Sequence, residues 1–184
     1  MAMILSCDDH SDHTIDGSME KIGKIDVYLF SPGEEQVLSS AQSLEFPSDL
    51  LMKEALNILG KRLAETYFSK IPTGNGTGIK FDVLSVHTIK TTARSIRIAV
   101  VNMVDKNQDA MKYFFQGSFG GQTTFYMIAA TFFQPQNDPP LLDGLILQYN
   151  GKMFPKLDHI NFQGIVTPRS VKPVVYRAIE LSKT

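Results

Sequence analysis

Gly117-Ser118-Phe119-Gly120-Gly121-Gln122 runs directly into an apolar helical pattern that ends at Thr131-Phe132-Phe133-Gln134. Three glycines ahead of a helix mark a place where backbone must come close to something, either a ligand or the protein itself. A phosphate-binding loop needs successive backbone amides and a lysine at fixed spacing, and no lysine lies between Gly117 and Gln122. A nucleophile elbow needs glycine two residues before and two after its serine, but Gln116 stands two before Ser118. The segment is therefore expected to be structural, with Gly117, Gly120 and Gly121 letting the chain turn tightly into the helix. Ser118 would sit near the helix N-terminus and accept from an otherwise unpaired amide.

The flanking pattern alternates strands and one-sided helices. Ile25, Val27 and Leu29 alternate with Asp26, Tyr28 and Phe30, and Pro32-Gly33 closes that strand; a weaker strand is expected from Gln36 to Phe46. Pro47-Ser48-Asp49 then announces a helix, with Ser48 or Asp49 as its cap. Met52, Ala55, Leu56, Leu59, Leu63 and Tyr67 share one face of it, which should pack on a sheet. Thr73-Gly74-Asn75-Gly76-Thr77-Gly78 closes this helix and opens a strand, the reverse of a dinucleotide loop, so it is expected to be a connector. Phe81 to Ile89 and Arg94 to Met103 form a hairpin pair, and a second helix starts between Ser118 and Gln122, buries Phe125, Ile128, Ala129 and Phe132, and ends at Pro135. Leu142 to Tyr149 is followed by Asn150-Gly151, the strongest hairpin signal in the chain because both residues tolerate positive φ in a type I′ turn, and Lys152 to Phe154 returns.

Taken in order, Ile25 to Phe30, Glu54-Ala55-Leu56, Val83 to Val86, Gly117-Ser118 with Gly120-Gly121-Gln122, Ala130 to Gln134 and Asn150-Gly151 resemble the GerMN domain, known from sporulation and spore-germination proteins and other bacterial envelope proteins. The resemblance covers about residues 24 to 155. It implies a small, non-catalytic α/β domain used for protein contacts in the cell envelope, often on a lipoprotein; tandem copies are frequent in that family, whereas this chain has room for one. The expected fold is α+β: a mostly antiparallel sheet of four to five strands with two helices on one face, in the order β-β-α-β-β-α-β. Residues 1–22 are expected to be a disordered polar leader, 23–155 the domain, and 156–184 an extension that packs on the domain or on a partner.

At 184 residues, 43% of them hydrophobic, the chain can build one ordinary core. A net charge of −1 gives no broad footprint for nucleic acid or an anionic membrane. The single cysteine, Cys7, excludes an intrachain disulfide and a cysteine-based zinc site. Met1 to Cys7 resembles the end of a bacterial lipoprotein signal, although no basic segment precedes it and six residues fall short of the usual apolar stretch of about 7 to 15. Either the start lies downstream of the true one or this is an ordinary cytosolic N-terminus. The polar Asp8 to His13 suits a tether, so Cys7 is expected to be lipidated, the lipid being the membrane contact and an envelope protein the partner.

Catalytic, cofactor and metal sites are not expected. His10 and His13 with Asp8, Asp9, Asp12 and Asp16 hold ligand types for a divalent ion, but a leader of this composition is ordinarily just solvated. His87 shares a strand face with Ser85; Asp158-His159 lacks an orienting third group; Glu34-Glu35 follows a turn. Aromatic residues crowd between Tyr113 and Phe133, more than one helix face can bury. Tyr113, Phe119, Tyr126 and Phe133 are therefore a candidate interface, unless Phe114, Phe115 and Phe119 fold back over the open end of the sandwich. The expected function is a non-catalytic protein-binding or scaffolding module of the envelope. The alternatives are a small hydrolase or ligand-binding protein using the Gly117 to Gln122 loop and His87, and a cytosolic adaptor.

Overall fold

The computed structural model describes residues 13–33, 38–47, 49–70, 79–157 and 161–183, with all their side chains except those of His13, Lys70, Ser118 and Phe119. Cys7, Ser48, the segment 73–78, Glu34-Glu35 and Asp158-His159 lie outside the described residues.

The fold is α+β. Strands β1 (His13–Asp16), β4 (Lys80–Lys90), β5 (Ser95–Val104), β6 (Gly144–Tyr149) and β7 (Lys152–Met153) form one sheet in the order β1-β4-β5-β6-β7. Its pairings are antiparallel except for β5 with β6, which is parallel. Strands β2 (Val27–Pro32) and β3 (Leu38–Leu44) form a separate antiparallel ribbon. Helices α1 (Met52–Tyr67) and α3 (Ser118–Phe133) pack on one face of the sheet, α1 along β4 and α3 near β6. The ribbon packs chiefly on α3 and on α4 (Lys172–Leu181), which runs along β3, and to a lesser extent on α1. A short α2 (Asp109–Tyr113) precedes α3.

The expected order β-β-α-β-β-α-β is present as β2-β3-α1-β4-β5-α3-β6, but its first two strands do not join the sheet. The free edge of β2 is satisfied by side-chain amides instead. Gln134 accepts from Tyr28 N at 2.8 Å and donates from Nε2 to Tyr28 O at 2.8 Å, while Asn137 does the same to Asp26 N and O at 3.1 and 2.9 Å. Each carboxamide stands in for one residue of a neighbouring strand, so at Asp26 and Tyr28 the edge is already paired.

The α1 stripe is as its spacing predicts: Met52, Ala55, Leu56, Leu59 and Leu63 are buried, and Tyr67 is half-buried with its hydroxyl 2.8 Å from Ser31 Oγ. Its cap differs. Leu51 occupies the cap position, and Glu54 reaches back to accept from Leu51 N at 3.1 Å. The next two amides are taken by backbone outside the helix: Met52 N donates to Glu20 O at 2.7 Å and Lys53 N to Ser18 O at 3.2 Å. Residues 13–22 are thus not a disordered leader but a working part of the domain, since they pair with β4 and close the orphan amides of α1.

Gly17 is required for that approach, because a Cβ there would stand 2.3 Å from Thr88 Oγ1. The Arg97 guanidinium grips Glu20 Oε1 at 2.9 and 2.6 Å, and Thr88 Oγ1 donates to Glu20 Oε2 at 3.0 Å. Burial alone would raise the Glu20 carboxyl, but hydrogen bonding and charge from Arg97, together with Thr88, outweigh it and hold the group below its ordinary value. The C-terminal extension is likewise integral: Phe162, Val166, Val171, Val175 and Ala178 belong to the one core cluster that also holds Ile22. The boundaries expected at residues 23 and 155 therefore do not divide the core.

Candidate functional site

In the glycine segment, positive φ falls on Gly117 (69°), the cap of α3, and not on Gly120 or Gly121, which lie in the first helical turn. A Cβ on Gly120 would meet Phe114 O at 3.7 Å, an ordinary contact. Of the three glycines, the conformational requirement rests on Gly117. Thr124 Oγ1 ties the turn down by donating to Phe114 O at 2.7 Å and Gly120 O at 2.9 Å. Asn150 and Gly151 take positive φ of 50° and 74°, as the hairpin signal predicts. The Asn150 amide also pairs with both backbone groups of Asp105, at 2.7 and 2.9 Å.

Asp105 is buried, a feature that reasoning from sequence missed. Its carboxylate accepts from Asp109 N and Ala110 N at the start of α2 and from the Tyr149 hydroxyl at 2.7 Å, so the buried group is satisfied. Burial and the bond to Asp105 push the Tyr149 hydroxyl far above its ordinary value. This network fastens the β6–β7 turn to α2 and holds Tyr149 as a neutral donor.

The expected aromatic patch is not formed as predicted. Tyr113 is 45% exposed, but Phe133 is fully buried and Tyr126 is half-buried, edge-on to Phe125 with centroids 5.3 Å apart. The Phe119 side chain lies outside the description. The reason is layering: α3 is apolar on all sides and contacts the ribbon, α1, α4 and β6, so residues off its first stripe are covered too. Phe132 meets Phe81 of β4 at 5.9 Å, while Phe115, Phe154 and Phe162 form a second aromatic cluster closed by the C-terminal segment.

Exposed apolar surface is found instead on the outer face of the sheet. Side chains alternate along a strand, and paired residues share a face. Phe81 with Met103, Val83 with Val101, and Leu145 and Val86 with Ala99 point inward and are buried. Ile89 with Ile96, His87 with Ile98, and Val100 with Ile146 and Ser85 point outward and are only partly covered. Met153 (71% exposed) and Ile165 (56% exposed) extend the stripe, the latter reaching Gly144 so closely that a Cβ there would sit 2.9 Å from Ile165 Cγ2. A signal was present in the sequence: Ile98-Ala99-Val100-Val101 is apolar on both faces, the pattern of a strand covered on both sides, whereas the two long helices cover one.

His87 and Ser85 do meet, with Ser85 Oγ 2.9 Å from His87 Nε2. Asp16 lies directly across from His87 in β1, and a cleft of about 420 Å³ holds these three with Lys53 and Leu84. Hydrogen bonds from Ser18 hold the Asp16 carboxyl below its ordinary value. Ser85 and His87 are in register with β5, where amides serve interstrand bonds rather than the stabilisation of an oxyanion. No described hydrogen bond joins this pair to the glycine segment. Among the described residues no group of three His, Cys, Asp or Glu is placed to hold a metal, and no helix is long and apolar enough to cross a membrane.

Compared with models of protein families, with curated proteins and with solved structures, the chain gives no match.

Proposed function

We propose that the chain is a non-catalytic protein-binding module of the bacterial cell envelope, lipid-anchored through Cys7, as its resemblance to GerMN proteins implies. The observation that carries the binding role is the half-covered outer face of the sheet, where Ile96, Ile98, Val100, Ile146, Met153 and Ile165 lie together. Apolar side chains on a face without a covering layer are stabilised by a partner that removes them from water. At a rise of about 3.3 Å per residue and a strand spacing of about 4.8 Å, the five strands present roughly 500 Å². Apposed to an equal area of another protein, that reaches ~1,000 Å², the lower end of specific interfaces. The occupant is thus an envelope protein offering an aliphatic surface, held transiently rather than as a permanent subunit.

A photocrosslinking residue at Ile98, compared with one at Lys112, tests this in the native host. A discrete adduct from position 98 alone, lost with Val100→Lys, is expected; equal adducts from both positions, or none, would overturn the reading. For the anchor, Cys7→Ser should move the protein out of the detergent phase, and unchanged partition removes the lipid from the proposal.

The Ser85–His87 contact favours a second reading, a small hydrolase, now on β4 rather than on the glycine loop. Labelling by a serine-directed phosphonate that is lost with Ser85→Ala would establish it in place of the binding role; no labelling is expected.

A further inference from the structure

At the end of the sheet, where the β4–β5 turn meets the C-terminal segment, a groove of about 640 Å³ is lined by Arg94, Asp143, Arg169, Lys172, Tyr176 and three prolines. Its volume is that of a ligand cleft, for which about 300 to 1,000 Å³ is usual. Three cations meet one carboxylate in it, on a chain whose net charge is −1. That carboxylate is already engaged on both oxygens: Asp143 Oδ1 accepts from Arg94 Nη1, and Oδ2 accepts from Arg97 N at 2.9 Å. Asp143 therefore fixes Arg94 at the groove wall without neutralising the other two cations. Among the described residues Arg169 and Lys172 have no carboxylate partner, and the Lys172 ammonium stands 5.8 Å from the centre of the Tyr176 ring.

We propose that this groove binds an acidic, extended segment of a partner protein. The cations come from three separate elements: Arg94 from the β4–β5 turn, Arg169 from the 3-10 turn at Pro168–Ser170, and Lys172 from the start of α4. Positive charge spread in this way matches carboxylates spaced along a peptide better than it matches one compact anion. The prolines supply apolar walls that carry no amide donor, and the exposed Tyr176 ring gives a flat surface for the aliphatic stems of Glu side chains. The inference stands apart from the sheet-face reading, since it requires neither apolar contact nor an envelope location.

The test is fluorescence anisotropy of the full chain with a labelled peptide of alternating Glu and Ser, against the same peptide with Gln for Glu. Saturable binding of the acidic peptide is expected, weakened at least about tenfold by Glu-to-Gln replacement and to a similar degree by the double variant Arg169→Ala, Lys172→Ala, the loss expected for charge-assisted contacts. Raising the salt should weaken it further. Lys106→Ala, an exposed cation elsewhere, should leave binding unchanged, and a melt of the double variant checks that it folds. Should the double variant not fold, Arg169→Gln alone takes its place in the comparison. No saturable binding, equal binding of the Gln peptide, or an unaltered double variant would overturn the proposal. Competition by inorganic phosphate as effective as by unlabelled peptide would also overturn it, replacing the acidic segment by a single small anion.

Discussion

The two faces of the five-stranded sheet are built from the same strands and have opposite fates. On the inner face Phe81, Val83, Val86, Ala99, Val101, Met103, Leu145 and Leu147 are buried under α1 and α3. On the outer face Ile96, Ile98, Val100 and Ile146 are as apolar as their inner-face neighbours but only partly covered, while β4 presents Ser85 and His87 beside them. From Ile98 to Val101 hydropathy does not distinguish the faces; there the difference is which one receives a layer. The inner face holds the domain together, while the outer face contributes less to folding.

The largest effect should come from breaking the inner face. Phe132→Ala removes a ring packed on Phe81 and should cost about 3 to 5 kcal/mol in urea unfolding, whereas Ile98→Ala on the outer face should cost about 1 kcal/mol. Equal losses would mean that the outer face is as much core as the inner one. Next, Gly17→Val drives a side chain into Thr88 and should destabilise by about 1 to 3 kcal/mol. Part of that loss should be recovered in a Gly17→Val, Thr88→Ala double variant, since the clashing Oγ1 is then absent.

A smaller effect is expected at the edge of the inner face, where Arg97 depresses the Glu20 carboxyl. A depressed folded pKa contributes stability above the unfolded value of about 4.5 and loses it as pH falls through the folded value. Glu20→Gln should therefore cost about 1 kcal/mol at neutral pH after allowance for solvent screening, and less as the pH falls below 4.5. Parallel stability curves for the two proteins between pH 3 and 7, run in roughly equal steps, would show that Arg97 does not act on this group. The smallest change is a gain: Gly120→Ala places a methyl in a helical turn with space for it and should stabilise by up to ~1 kcal/mol, while Gly117→Ala, at positive φ, should destabilise by about the same amount. Thermal melts of the pair give the signs.

Several elements were legible because their signals are local. The α1 stripe, the start of α3, the β4–β5 hairpin and the Asn150-Gly151 turn each depend on residues within a few positions of one another, so periodicity and turn chemistry suffice. The candidate interface was less legible. Phe133 looked surplus because a helix was read as having one buried face, and two layers around α3 left it none exposed. Residues 13–22 looked like a leader because their value lies in backbone carbonyls and a missing Cβ, which composition does not display.

What the sequence by itself determined is therefore the order β2-β3-α1-β4-β5-α3-β6, the α+β class and the Asn150-Gly151 turn, through short-range sterics and hydropathic period, but not β1, α2 or α4. Tertiary structure alone decided that β2 and β3 stand outside the sheet, that Gln134 serves as the strand partner of Tyr28 across 106 residues of chain, and that one sheet face is covered and the other left open. The physical reason is that an amide or an apolar side chain specifies that it must be satisfied, whereas the group that satisfies it is chosen by long-range packing.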